Sequence, residues 1–450
     1  MENHQQSPVE EQAGLHQRPE RAASGAPQRR QSAARGIAAA TVGNALEWYD
    51  MSIYALLAIY IGHNFFPSDN PAVEVIQAFA VFGVSYLIRP LGGLVLGSYA
   101  DRKGLKKGLI LTIRLMVLGT AIIALMPGYD TIGMLAPLGL IVGRLVQGFS
   151  AGGEFGAATS YLLAQNKERK GFLGSFQFAS QGLGALMAAI TVVVLTSIFT
   201  TEQMNEWAWR IPFFIGLLVG PAGWWIRRHV DEAPLPERPA TGPQGAVPAV
   251  HAPVRELFRS NKVSVLMAGG GLAISTALNF VLQYMPTFGI NHLGMSPTIS
   301  FSSLIISGVI LTFATPVVGH LSDRFGRLHI MVPAALAIMV LTIPLFLWLI
   351  AGKTFLVLAV VMTILGLLKA LYFGALPSVM ADVFSDSTRA TGLSFSYNAA
   401  VAVFGGFTPM ICAFLIEATG QPIAPGYYLA VLSIVSLVAL GSAFRFRAVR

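Results

Sequence analysis

Two acids and an arginine sit in this chain where an apolar segment ordinarily carries no charge. Glu47 and Asp50 interrupt an apolar run at residues 36–62, and Arg144 interrupts another at 132–164, with Gln147 and Glu154 following on the same helical face. Arg89, Arg114 and Lys369 lie inside further apolar runs. An ionisable side chain at mid-bilayer costs about 2.5–3.5 kcal/mol on insertion scales, so each needs a partner or a task. Acids and bases facing one cavity suit proton-coupled binding. A cation beside a carboxylate favours the ionised acid, and a substrate anion competing for that cation favours the protonated one. Binding and protonation then promote each other, which is the minimum that symport requires.

Structural readings compete with this chemistry. Arg144 and Glu154 could form an ion pair that locks one helix. Arg89 precedes Pro90 and could satisfy carbonyls at a kink, while Arg114 is close enough to a membrane surface to snorkel. Lys369 is deep in its run, which favours a ligand role. Glu47 and Asp50, with Asn44 and Tyr54, are expected to form one polar face turned into the bundle. Gln177, Gln181, Asn279, Gln283 and Asn398 beside Tyr397 add hydrogen-bonding groups, whose commoner use is to join helices.

The elements that must position these groups are membrane helices. Hydrophobic residues make up 54% of the 450 positions and charged residues 12%, about half the share in a soluble domain. Apolar segments fall at about 36–62, 72–99, 108–127, 132–164, 171–200 and 211–228, then at 263–290, 298–320, 329–350, 354–380, 390–416 and 427–444. Each is long enough to cross a hydrocarbon core of about 30 Å. The polar residues 1–35 are expected to be a disordered cytoplasmic tail, and the proline-rich stretch 229–262 a cytoplasmic linker between helix bundles at 36–228 and 263–450. Short loops on one side carry Arg102, Lys103, Lys106, Lys107, Lys167, Arg169, Lys170, Arg324, Arg327 and Arg389, which places both termini in the cytoplasm.

Other function classes fit poorly. The net charge of +8 is spread over short clusters between apolar runs and forms no basic stripe for nucleic acid. The single cysteine, Cys412, lies in an apolar run and has no disulfide or metal partner. His63, His229, His292, His320 and His329 are scattered, without a hydrolase or metalloprotease context. No enzyme, metal or cofactor is expected, the proton serving as coupling ion. A small-molecule substrate and the lipid bilayer are the expected partners, and the chain is expected to act as a monomer.

The two halves repeat. GSYADRKGLKK at 97–107 is matched by GHLSDRFGR at 319–327, EFGAATSY by YFGALPSV, and RKGFLGSFQ by TRATGLSFSYN. Gly97 and Gly319 would let helices approach, Asp101 and Asp323 would cap a helix or pair with a base, and Gly104 and Gly326 would permit a tight turn beside Arg102 and Arg324. This doubled GxxxDRxG pattern resembles the inner-loop signature of the major facilitator superfamily. The resemblance covers the chain after its tail and implies about twelve transmembrane helices in two six-helix bundles, with a central cavity between parallel repeats. Leu105 and Leu328 replace bases that often stand in the pattern, which implies a weaker latch.

GNALEWYD, LIRPLGG, GRLVQGFSAGGEFG and RKGFLGSFQ are similar to the metabolite:proton symporter family, whose substrates include citrate, tricarballylate, 2-oxoglutarate, shikimate and proline/betaine. YMPTFG at 284–289, LSFSYNAAVAVFGGFTP at 393–409 and the later PGYY look most like the citrate and tricarballylate branch. Asp50 and Arg144 occupy the places of the acid–arginine couple in proton-linked sugar porters of the superfamily. Met51 stands where the family usually has an aromatic, and Arg114 where an apolar residue is usual. The resemblance implies symport of a di- or tricarboxylate with protons across a bacterial inner membrane. Arg144 and Lys369, with Arg89, would hold carboxylates. Glu47, Asp50 and Glu154 are the proton-carrying candidates, and Asn279, Gln283, Tyr284, Tyr397 and Asn398 would shape the pocket. A zwitterionic osmolyte is the nearest rival substrate, and one known osmolyte branch carries a long coiled-coil tail that this sequence, ending at Arg450, does not show. A drug exporter would want a more apolar cavity.

Overall fold

The computed structural model describes residues 25–103, 105–152, 154–217, 262–385 and 389–447. Hydrocarbon offers the backbone no hydrogen bonds, so a chain this apolar pairs its N–H and C=O groups within each segment and folds as helices. Among the described residues there is no strand. The first half contains α1 (Gly25–Leu56), α2 (Ala58–Phe65), α3 (Pro71–Leu87), α4 (Arg89–Lys103), α5 (Leu105–Leu125), α6 (Tyr129–Ile132), α7 (Leu135–Ala151), α8 (Glu154–Ala164), α9 (Lys170–Ile198), α10 (Thr201–Glu206) and α11 (Ala208–Leu217). The second contains α12 (Lys262–Leu293), α13 (Pro297–Phe325), α14 (Arg327–Gly352), α15 (Phe355–Asp382), α16 (Arg389–Phe404), α17 (Thr408–Thr419) and α18 (Ala424–Arg447).

Among the described residues, eight stretches are long and apolar enough to cross a membrane, and α5, α7 and α11 contribute shorter apolar helices. Together with α1–α2 they follow the expected segments over the described residues, six before residue 218 and six after residue 261. Helix α1 starts at Gly25, inside the segment expected to be an unstructured tail. Its run QSAARGIAAA is rich in alanine, the strongest helix former, and polarity alone hides that propensity. Residues 1–24, the linker up to residue 261, Gly104, and the side chains of Asp101 and Glu154 lie outside the described residues.

Several crossings are broken, each with a local cause. Between α3 and α4 the chain turns at Ile88, and Pro90 occupies the first turn of α4, where its missing N–H costs nothing. The crossing of α7 and α8 breaks at Gly152. That of α16 and α17 breaks at Gly405–Phe407, where the N–H groups of Gly405 and Gly406 both return to the Val401 carbonyl. Interrupted membrane helices of this kind leave backbone groups free where a transporter binds its substrate.

Glycines let two of these broken crossings touch through their backbones. A Cβ at Gly92 would overlap the Phe149 carbonyl, one at Gly148 the Ser85 carbonyl, and one at Gly152 the Arg89 carbonyl. The α3–α4 and α7–α8 crossings therefore pack as small-residue membrane interfaces do, and that contact fixes where Arg89 and Arg144 stand. The halves meet where α9 lies against α13 and α15, α3 against α17, α8 against α16, and α1 against α12. Gly148→Ala should destabilise by about 1–3 kcal/mol through overpacking. Gly269→Ala, with open space at its Cα, should be neutral or stabilising. Melting temperatures of the two detergent-solubilised variants check the contrast.

Candidate substrate and proton site

In the first half the cation is Arg144 on α7, with 0% of its surface exposed. One terminal nitrogen donates to Gln147 Oε1 at 2.8 Å, and the other to Ser85 Oγ at 2.9 Å. Its guanidinium lies 4.4 Å from the Tyr54 ring centre and 5.0 Å from that of Phe82, faces that attract a cation. Gln147 Nε2 donates to Thr120 Oγ1 at 2.8 Å, and Thr120 Oγ1 lies 3.3 Å from Asp50 Oδ2. Asp50 and Arg144 are thus joined through two neutral side chains and make no direct ion pair. Gly216 of α11 lies against the Asp50 carboxylate, which leaves that acid between α1, α5 and α11.

In the second half the cation is Lys369 on α15, 2% exposed. Its ammonium donates to Asn279 Oδ1 on α12 and stands 4.8 Å from the Phe373 ring centre. The ion pairs found among the described residues include none for Arg89, Arg144 or Lys369. Three buried cations, Arg89 and Arg144 in the first half and Lys369 in the second, are therefore met by neutral dipoles and rings among the described residues. That arrangement costs stability, and an arriving anion would repay it.

Aromatic rings fill the seam between the halves. Phe280 of α12 packs edge-on against Phe82 and Tyr86 at 5.6 and 5.4 Å. Phe79 meets Tyr284 at 5.7 Å. Toward the basic-loop end, Phe155 stacks on Tyr397 at 3.5 Å and Phe178 on Phe373 at 4.1 Å. Phe155 and Phe373 hold equivalent places in the internal repeat, and so do Phe178 and Tyr397. One repeated pair of positions thereby yields two stacks, each joining opposite halves. Gln181 Nε2 donates to the Tyr397 hydroxyl at 3.3 Å, and Asn398 Nδ2 donates across the seam to the Gly152 carbonyl at 2.8 Å.

The repeated loop motif acts across the same seam. Asp323 accepts from the Gly171 and Phe172 N–H groups at 2.7 and 2.9 Å, capping α9 of the other half. Gly326 takes φ +89°, which a residue bearing a Cβ rarely adopts, and so turns α13 into α14. Asp382 joins Lys170 of the first half at 3.1 Å and also pairs with Arg327. Sequence reasoning missed Asp382, because an acid at a helix end looks solvated until the facing loop is known. Among the described residues nothing packs against the Cα of Gly97, in contrast to the close approach expected there, whereas Gly319 packs against Gly171 and Ser175.

The expected polar face of α1 is turned into the bundle, with Asn44, Asp50 and Tyr54 all buried, and its members meet three different helices. Asn44 reaches the Gln177 carbonyl and Ser180 on α9, Asp50 reaches Thr120 on α5, and Tyr54 donates to the Ala78 carbonyl on α3. At 3.6 residues per turn Asn44 and Asp50 stand about 120° apart, wide enough to face different neighbours. Arg114 is exposed, as a snorkelling side chain would be. Met51 touches Arg144, with Sδ at 3.9 Å.

A profile of the Major Facilitator Superfamily matches residues 40–406 and 309–450. The chain belongs to that superfamily. It is 36% identical over 439 residues to a citrate-proton symporter of Klebsiella pneumoniae, covering 95% of this chain and 97% of that protein. It is 33% identical over 412 residues to a proline/betaine transporter of Salmonella typhimurium, covering 90% of this chain and 82% of that protein. The crystal structure of D-xylose-proton symporter shares its fold with a TM-score of 0.71 at 18% identity, over 92% of this chain and 97% of that one. This major facilitator is a membrane transporter and not an enzyme. Asp323→Ala removes the acceptor of two helix-end N–H groups and should cost about 1 kcal/mol. Maleimide should then label a cysteine at position 175, buried beside Gly319, faster than it does with Asp323 intact.

Proposed function

We propose that this transporter carries a citrate-like di- or tricarboxylate together with protons by alternating access. The carrying observation is the pair of buried cations, Arg144 and Lys369, one in each half and neither in an ion pair with a described acid. A substrate with two or more carboxylates can engage both halves at once, and only a ligand held by both can couple their movement. Arg89 is a third carboxylate-holding group. Asn279 already holds Lys369, Gln283 is buried on α12, and Tyr284, Tyr397 and Asn398 are buried at the seam.

In this reading Asp50 carries the proton. Its link to Arg144 runs through Thr120 and Gln147, so an anion that draws the guanidinium away changes the field at the carboxylate without touching it. Glu47 is the second candidate, since it shares with Arg89 the electrostatic surroundings of Tyr86 and Tyr397. Glu154 is the third, by its place on α8. The protein would work as a monomer in a bacterial inner membrane, with the basic loops and both termini in the cytoplasm.

Similarity to the proline/betaine transporter supports a second reading, a zwitterionic osmolyte. Such a ligand needs one cation and leaves the other unanswered, so the two cations favour a polycarboxylate. Uptake of labelled citrate into cells or vesicles should collapse with a protonophore and fall at least tenfold in Arg144→Ala and in Asp50→Asn. Citrate uptake that survives the protonophore and Arg144→Ala refutes the coupling. Proline uptake without citrate uptake selects the osmolyte.

A further inference from the structure

The junction of α3–α4, the α7–α8 break and α16 holds buried polar atoms that neither the helices nor the latch uses. Arg89 is 2% exposed, and its Nε and one terminal nitrogen have no hydrogen-bond partner among the described residues. Its guanidinium lies 4.2 Å from the Tyr86 ring centre, and the buried Tyr86 hydroxyl is also unpartnered. Arg144 stands within electrostatic range of both, with its own Nε unpartnered. These are donors, and they ask for an anion.

Across the seam the unmatched atom is an acceptor. Asn398 is 3% exposed, and its Nδ2 donates to two carbonyls, Gly152 at 2.8 Å and Ser394 at 2.9 Å. Those two bonds fix which end of the amide is nitrogen, so Oδ1 cannot exchange places with it. Oδ1 is buried with no donor among the described residues. Gly152 ties the two sides together, because the carbonyl that Asn398 grips belongs to the residue packed against the Arg89 backbone. Tyr397, next to Asn398, lies within electrostatic range of Arg89 and Tyr86.

A ligand that answers the whole set must bring oxyanions for the donors and a hydrogen-bond donor for Oδ1. A fully ionised polycarboxylate without a hydroxyl brings only the first, a quaternary ammonium zwitterion has no N–H to give, and proline brings N–H groups but a single carboxylate. A carboxylate bearing a hydroxyl on the neighbouring carbon brings both on adjacent atoms. We propose that this junction selects hydroxy-polycarboxylates, Arg89 and the Tyr86 hydroxyl holding a carboxylate while Asn398 Oδ1 accepts from the substrate hydroxyl. The inference rests on the carboxylate reading above and adds what that reading leaves open, the discrimination between otherwise matched acids. Sites built to pair a substrate hydroxyl reject the analogue lacking it, because the buried group is then left unpaired.

Two ligand pairs that differ by one hydroxyl test it: citrate against tricarballylate, and malate against succinate. Calorimetric titration of the purified full chain should show the hydroxy acid binding at least about tenfold tighter within each pair. In Asn398→Ala the ratio within each pair should fall to within about twofold, whatever the loss of the Nδ2 bonds to Gly152 and Ser394 does to the affinity of both members. In Arg89→Gln all four acids should weaken, while the hydroxyl preference persists between any that still bind. Equal affinity within each pair in the native chain overturns the hydroxyl assignment and leaves the carboxylate reading standing. So does a preference that survives in Asn398→Ala. Should that variant fail to fold, the native-chain ratios still decide. Binding of proline or betaine with none of the four acids overturns the carboxylate reading itself.

Discussion

Charge without water is the constraint on which this structure turns. A guanidinium or an ammonium placed among helices loses its hydration, and the surrounding chain must replace it with dipoles, rings or a counter-ion. Arg144 receives Ser85, Gln147 and two aromatic faces, and Lys369 receives Asn279 and one. Neutral partners make each cation tolerable and leave its charge uncancelled, so a mobile anion gains more from binding than it would beside a resident carboxylate.

The packing serves that arrangement. Backbone contact at Gly92, Gly148 and Gly152 presses the α3–α4 crossing against α7–α8 and sets Arg89 and Arg144 within range of each other. Lipid offers little hydrophobic force between helices, so such close small-residue contacts carry much of the association. The seam between the halves is built from rings and a few polar stitches. The Phe155–Tyr397 and Phe178–Phe373 stacks, the Asp323 cap on α9 and the Asp382 pairs all cross it. Beside these, α9 packs closely on α13, where Gly182 lies against Leu311 and Gly308 against Leu186.

Internal repetition explains the latch and the seam together. Because the halves are related copies, a residue that crosses the seam from one side has a counterpart crossing from the other. Phe155 with Tyr397 and Phe373 with Phe178 show this directly. The halves also differ in their buried cations. Arg144 lies in the first half, Lys369 in the second, and the α7–α8 break at Gly152 separates Arg144 from Phe155.

The chain's apolar segmentation over the described residues, its doubled loop motif and the presence of ionisable groups in the spans were all legible from residue types and spacing. Periodicity and hydropathy are local properties, and a bilayer leaves the backbone few choices. Local spacing could not decide where the side chains of α1 point, because Asn44, Asp50 and Tyr54 are spread around a helix that touches three neighbours. Nor could it show that Thr120 and Gln147 stand between Asp50 and Arg144, or that Asp382 meets a lysine of the other half. Those outcomes depend on which helix lies beside which. That is set by close packing between residues far apart in the chain, and only the tertiary structure contains it.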